Sequence, residues 1–226
     1  MAMKRSQINR AIQTALEVLN RHSFYLPPFA YWTPEQWRQA GPDCERIKLN
    51  GLGWDVTDLG RGDFDNEGAV LFTLRNGNYQ HPELGTPYAE KVIIMTPGQS
   101  LPLHFHWSKT EDIINRGGGV LVMEFYASAA DESVDRTSPV RIFCDGRERI
   151  LRSGESIRLL PGESVTIPPR LYHRFWAGRD GGILICGEVS SVNDDRTDNR
   201  FAQPSERFVP IVEDEPARYL LWTEYP

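Results

Sequence analysis

Two histidines one residue apart, His104 and His106, lie in the run Gly98-Gln-Ser-Leu-Pro-Leu-His-Phe-His-Trp107. This pairing constrains the chain more than any other feature. A strand sends successive side chains to opposite faces, so residues two apart share a face and both imidazoles point the same way. Glu111 follows past Ser108 and Thr110, where the chain can bend and return. Three donors suited to a borderline divalent metal thus stand within eight residues. A fourth, His173, lies in Ile167-Pro-Pro-Arg-Leu-Tyr-His-Arg-Phe175. Three imidazoles and one carboxylate leave a dication with one net positive charge and, at six-coordination, two open positions. Mn²⁺, Fe²⁺, Zn²⁺, Co²⁺ and Ni²⁺ all suit this set, and ligand type alone does not choose among them.

An isolated His-x-His has a simpler reading, two polar residues on the wet face of a strand. Here the pair takes two of only five histidines in the chain. It also sits inside the longer spacing Gly98-x5-His104-x-His106-x4-Glu111-x6-Gly118, and a second block reads Gly162-x5-Pro168-x4-His173. These two blocks resemble the signature of the cupin superfamily. Arg170 stands where a glycine is common and Ala177 where an asparagine is common, and both departures concern turn geometry. The resemblance implies an all-β fold, the double-stranded β-helix (jelly-roll) barrel, with a metal in its mouth held by His104, His106, Glu111 and His173.

The remaining sequence is expected to form a single domain over 1–226. Residues 1–45 read as a helical and aromatic extension, about 46–190 as the barrel, and 191–226 as a polar loop and a tail that packs on it. In the extension, Ile8, Ile12, Ala15, Leu16 and Leu19 fall at helical spacing over 5–22. The segment 24–32 is aromatic, broken by two prolines, and suited to lie extended over a core or a partner subunit. Thr33-Pro34-Glu35-Gln36 is a helix start. Strands are expected at 53–58, 69–75, 89–96, 101–107, 118–127, 139–144, 148–152, 155–159, 163–167, 172–177 and 182–190, with possible late strands at 207–212 and 218–222. Asn76-Gly77 and Asp145-Gly146 are tight-turn signals, and 192–206 reads as one polar loop.

A net charge of −6 argues against a nucleic-acid or anionic-membrane partner. No stretch of 18 apolar residues is present, and the polar start is not that of a secretory signal. Cys44, Cys144 and Cys186 are few, odd in number and widely spaced, as in reduced cytoplasmic proteins.

Beyond the four donors, two residues point to chemistry. Lys109 sits in the turn between His106 and Glu111, at the rim of the site. Glu188 lies in Gly182-Ile-Leu-Ile-Cys-Gly-Glu-Val-Ser190, a strand apolar on both faces, where an unpaired carboxylate is costly. Asn193 and Asp194, followed by Asp195, could meet the hydroxyls of a polyol at the barrel mouth. Trp107 and Phe175 could stack on a sugar ring. His22 at the helix end is read as structural, and His81 is unassigned. The Gly117-Gly118-Gly119 run lacks the Lys-Ser/Thr of a phosphate loop and is read as a strand corner.

Two longer blocks are more specific than the cupin pattern: His104-x-His106-x-x-Lys109-x-Glu111-Asp-Ile with Arg116-Gly-Gly-Gly119 after it, and Gly187-Glu-Val-Ser-x-Val-Asn-Asp-Asp195. With the N-terminal helix and the aromatic segment, they resemble the D-lyxose isomerase family over most of the chain. That resemblance implies Mn²⁺ dependence, interconversion of D-lyxose with D-xylulose and of D-mannose with D-fructose, and a homodimer. An aldose–ketose isomerase moves a proton between C1 and C2 and another between the adjacent oxygens. Glu188 is expected as the base and Lys109 as its partner at the oxygen, with the two roles exchangeable. Lys and Arg are scattered, so a free sugar is expected. A cupin dioxygenase with the same ligands, or a non-catalytic sugar-binding cupin, would fit the metal set equally well.

Overall fold

The helical spacing near the N-terminus forms α1 (Arg5–Arg21), which buries Ile8, Ile12, Ala15, Leu16 and Leu19. The structure, a computed structural model, describes residues 2–226. Two short helices follow, α2 (Pro34–Gln39) and α3 (Glu45–Leu49). The expected cap of α2 is present: Gln36 N donates to Thr33 Oγ1, and the Gln36 side chain accepts from Thr33 N at 2.8 Å. The aromatic segment lies over the core, with Leu26 and Ala30 buried and Trp54 Nε1 donating to Ala30 O at 2.7 Å.

The strands, in chain order, are β1 (Met3–Lys4), β2 (Gly53–Thr57), β3 (Ala69–Arg75), β4 (Tyr88–Met95), β5 (Ser100–His106) and β6 (Glu111–Gly117). They continue with β7 (Leu121–Ser128), β8 (Val134–Asp135), β9 (Val140–Cys144), β10 (Arg147–Leu151) and β11 (Ser156–Leu159). The last are β12 (Ser164–Ile167), β13 (Tyr172–Ala177), β14 (Leu184–Ser191), β15 (Asn199–Phe201) and β16 (Ile211–Val212). One sheet runs β10-β9-β12-β6-β14-β4-β3-β2 and the other β11-β7-β13-β5-β15, both antiparallel throughout. The two sheets form the all-β, double-stranded β-helix barrel of the cupins, with a helical extension at the N-terminus.

Two apolar clusters sandwich the larger sheet. Leu71, Ile93, Ile113, Leu184 and Cys186 face the barrel interior and pack with Met123, Phe125 and Phe175. Val56, Phe72, Val92, Ile94 and Ile185 face outward and pack under α1. A short parallel pair, β1 with β16, ties the C-terminal tail to the start of α1. Buried Arg5 clamps the same tail through Glu213 and Glu224. No helix among the described residues is long and apolar enough to cross a membrane.

Four sequence expectations need correction. The expected strand at 118–127 starts later: Gly117 and Gly118, at φ +133° and +81°, make the corner between β6 and β7. A Cβ on Gly118 would fall 2.0 Å from Ile183 O, so glycine is required there. Asn76-Gly77 makes no tight turn and lies in irregular chain. Twelve residues, 76–87, separate β3 from β4, and the Asn76 amide instead donates to Asn50 O and Asn193 O. The polar loop 192–206 contains β15, which pairs with the histidine strand β5. Of the late strands only β16 forms, with Leu221 making a lone bridge to Trp54. Asp145-Gly146 is the expected two-residue hairpin, with both residues at positive φ.

Candidate active site

Strand period and register place the donors. His104 and His106 point inward from β5, and His173 lies directly opposite His104 on β13. Glu111 opens β6, next to β14. All four are buried. Ligand atoms of the three histidines lie within 4.8 Å of one another. Glu111 Oε1 is 3.3 Å from His106 Nε2 and 3.0 Å from His173 Nε2.

Backbone carbonyls fix the tautomers. His104 Nδ1 faces Pro102 O at 2.8 Å, His106 Nδ1 faces Asp198 O at 3.1 Å and His173 Nδ1 faces Leu171 O at 3.0 Å. A carbonyl only accepts, so each Nδ1 carries the proton and each Nε2 presents a lone pair. Burial, with His173 and His106 beside it, holds the His104 pKa well below the usual imidazole value. Among the described residues neither Glu111 Oε1 nor His173 Nε2 has a hydrogen-bond partner, although both are buried. Lone pairs of three imidazoles and a carboxylate converging without a donor are mutually repulsive. A divalent cation at their centre satisfies all of them, so the residues present fit a metal.

A row of buried charge continues from Glu111. Lys109 Nζ lies 2.8 Å from both Glu111 Oε2 and Glu188 Oε1 and 3.3 Å from Asn193 Oδ1. Lys91, opposite Glu188 on β4, places Nζ 3.6 Å from the same Glu188 oxygen and 3.3 Å from Asp195. Arg207 joins Asp195, at 2.8 Å, to Asp55. Burial by itself would lower the Lys109 pKa, but the charges of Glu111 and Glu188 outweigh it and hold the ammonium protonated. Burial works to raise Glu188, and Lys109 and Lys91 overcome it, so that carboxylate titrates below its ordinary range. Lys109 does the same for Glu111, and Lys91 and Arg207 for Asp195. Four carboxylates (Glu111, Glu188, Asp195 and Asp55) stand against three cations (Lys109, Lys91 and Arg207), leaving one negative charge for a dication to reverse.

The turn that presents Lys109 is itself pinned. Buried Asp198 accepts from Ser108 N at 2.9 Å, Ser108 Oγ at 3.0 Å and Lys109 N at 3.1 Å, while its carbonyl orients His106. The cavity between these groups has a volume of about 60 Å³, and Phe175, Asn199 and Phe201 also line it. Two larger clefts, of about 370 and 470 Å³, adjoin it, the first sharing Asp195 and the second Leu101 and Pro102, and among the described residues neither holds such a donor cluster.

Of the residues expected from sequence, His104, His106, Glu111, His173, Lys109 and Glu188 come together around one cavity. Asn193 touches Lys109, and Phe175 lies in the cavity wall. Trp107 does not join them. It sits one residue out of phase with the histidines, on the outer face, under the Arg170 guanidinium. Asp194 caps a turn through Arg196 N and Thr197 Oγ1, and its neighbour Asp195 enters the cavity instead. Sequence reasoning missed Lys91, Arg207 and Asp198. Lys91 carries a readable signal, a charge heading the apolar run Val92-Ile-Ile-Met95.

The family model for D-lyxose isomerase matches residues 3–225. The chain is 45% identical to a D-lyxose/D-mannose isomerase of Escherichia coli O157:H7 over 224 residues, 99% of this chain and 98% of that protein. It is 43% identical to one of Serratia proteamaculans over 99% of this chain and 98% of that protein. Among solved structures, the L-ribose isomerase of Cellulomonas parahominis with L-ribose shares the fold, with a TM-score of 0.60 at 16% identity over 93% of this chain and 99% of that one. Matched from end to end by that family's model, and by relatives at over 40% identity, the chain belongs to the D-lyxose isomerase family of aldose–ketose isomerases.

Proposed function

We propose that the protein interconverts D-lyxose with D-xylulose, and D-mannose with D-fructose, by proton transfer through an enediol. One observation carries the reading: Lys109 Nζ bridges Glu111 and Glu188 at 2.8 Å each. An acid, a base and a metal-facing carboxylate thus form one contiguous cluster. His104, His106, His173 and Glu111 would hold the ion, with Mn²⁺ expected, and it would supply positive charge to the substrate's first two oxygens. Glu188 removes the proton from C2 of the aldose and returns it to C1. Its Oε1 is occupied by Lys109; its Oε2 accepts no hydrogen bond among the described residues and is the oxygen available to the substrate. Lys109 gives its proton to O1 and recovers one from O2, so the cycle ends with both groups restored. Each cation of the cavity already rests on carboxylates, which favours a free sugar over a phosphorylated one.

The test is turnover of Mn²⁺-loaded protein on free pentoses and hexoses in D₂O. Ketose bearing solvent deuterium at C1 or C2 is expected. A Glu188→Gln variant should keep its metal and lose about 10²–10⁴-fold in kcat, the usual worth of acid–base catalysis. Complete retention of the substrate hydrogen would exclude the enediol route. Oxygen consumption without ketose would favour a dioxygenase, and sugar binding without product a binding protein.

A further inference from the structure

Leu59 is a buried apolar side chain, 3% exposed, that belongs to neither apolar cluster of the fold. It lines the catalytic cavity instead. Its backbone is left-handed, with φ +56°, a conformation costly for a residue with a Cβ. The loop around it is firmly held. Leu59 N donates to Thr57 Oγ1 at 3.0 Å, and Glu206 N donates to Leu59 O at 3.0 Å. Gly60 N and Gly62 N donate to the Asp58 carboxylate at 3.0 and 2.8 Å. The turn geometry alone favours glycine at position 59, as at Gly60 and Gly62, which both have positive φ. A leucine kept in such a place, outside both cores and against the cavity, implies a use for its side chain.

Its place in the sheet indicates that use. Across the order β6-β14-β4-β3-β2, Glu111 is on β6, Glu188 on β14 and Lys91 on β4, and Leu59 follows β2. The reacting groups are therefore at one end of this row and Leu59 at the other. A sugar held with C1 and C2 at Lys109 and Glu188, its tail running along this row, would meet Thr57, Leu59 and Arg207, which line the same cavity. D-Mannose is D-lyxose with a hydroxymethyl group added at C5, so the two substrates differ only at that tail.

We propose that Leu59 sets the preference between five- and six-carbon sugars, its isobutyl group walling the cavity where C6 and its hydroxyl need room. The inference rests on the sugar-isomerase reading above. Its test is the ratio of kcat/KM for D-mannose to that for D-lyxose in the wild type, Leu59→Gly and Leu59→Phe. Contacts of methylene size in a pocket shift such ratios by about tenfold or more. Leu59→Gly, which suits the left-handed backbone, should raise the ratio at least fivefold, mainly through a lower KM for D-mannose; Leu59→Phe should lower it. The glycine variant decides alone if the bulkier one folds poorly. A ratio within twofold of the wild type, with or without a lower Tm, makes Leu59 a packing residue and overturns the inference. A wild type that converts neither sugar overturns the proposed function beneath it.

Discussion

Glu188 and Lys91 face each other on adjacent strands, two ionisable side chains in runs that are otherwise apolar. The reasoning that finds one finds the other, because a buried charge is costly unless it is paired or used. Glu188 stands out because apolar residues lie on both sides of it in sequence. Lys91 opens its apolar run and passes for a strand end, where a long side chain can reach water. Asn193, Asp194 and Asp195 set a harder problem, since a loop has no period and sequence does not say which of three adjacent polar groups turns inward. The proposed metal ligands were legible as a group because a strand's period of two fixes their common face. They carry a prediction at the same scale. Metal that binds only the folded state adds about 2.7 kcal/mol at a hundredfold excess over Kd. For a chain of this length that corresponds to a rise in Tm of about 5–10 °C. Chelation should remove this increment and Mn²⁺ restore it, as read by calorimetry. His173→Gln should fold yet lose the response to metal. A variant that responds as the wild type does would remove His173 from the ligand set.

Among elements, strands with an apolar inward face were legible almost residue for residue, as for 69–75 and 172–177, whereas β6 was not. Its alternation is present, with Glu111, Ile113, Asn115 and Gly117 inward and Asp112, Ile114 and Arg116 outward. The inward set is half polar because it carries the proposed ligand Glu111 and a fully buried asparagine. Asn115 is satisfied through Gly119 O, Leu159 O and Gly117 N. Function and corner geometry thus removed the hydrophobic signal that reveals a strand. Helix α1 shows the opposite case, an ordinary apolar stripe that serves only packing. Ile12 is fully buried against the outward face of the sheet, on the side away from the cavity. Ile12→Ala should cost about 2–5 kcal/mol, the usual price of a large-to-small core change. Urea unfolding should show this while KM for the sugar stays within twofold. A large change in KM would mean that α1 couples to the site through the sheet.

For the whole molecule, the cavity places ionised groups in a small barrel interior, and their pairing ties stability to pH. Glu111, Glu188 and Asp195 all titrate below their ordinary values when folded: burial opposes ionisation, and Lys109, Lys91 and Arg207 overcome it. A depressed folded pKa contributes stability that is fully present above the unfolded value and lost as pH falls through the folded one. For these groups the loss begins below about pH 4.5, near the ordinary carboxylate range. As each carboxylate takes a proton, Lys91, Lys109 and Arg207 keep their charge in the interior, and their mutual repulsion adds to the loss. The metal-free protein should therefore begin to lose unfolding free energy below about pH 6.5, where the unfolded chain protonates the imidazole that the fold keeps neutral at His104, and below about pH 4.5 should fall more steeply, by more than one proton's worth per pH unit, each proton being about 1.4 kcal/mol. Exposed carboxylates also contribute, so the decisive comparison is Asp195→Asn. That variant is less stable at neutral pH, because Lys91 and Arg207 lose a shared partner, but its acid slope should be shallower by about one proton. Denaturant midpoints from pH 7 to pH 3 measure both quantities. Parallel slopes for variant and wild type would show that Asp195 takes up no proton on unfolding, and that the cavity charges are not what makes the fold acid-sensitive.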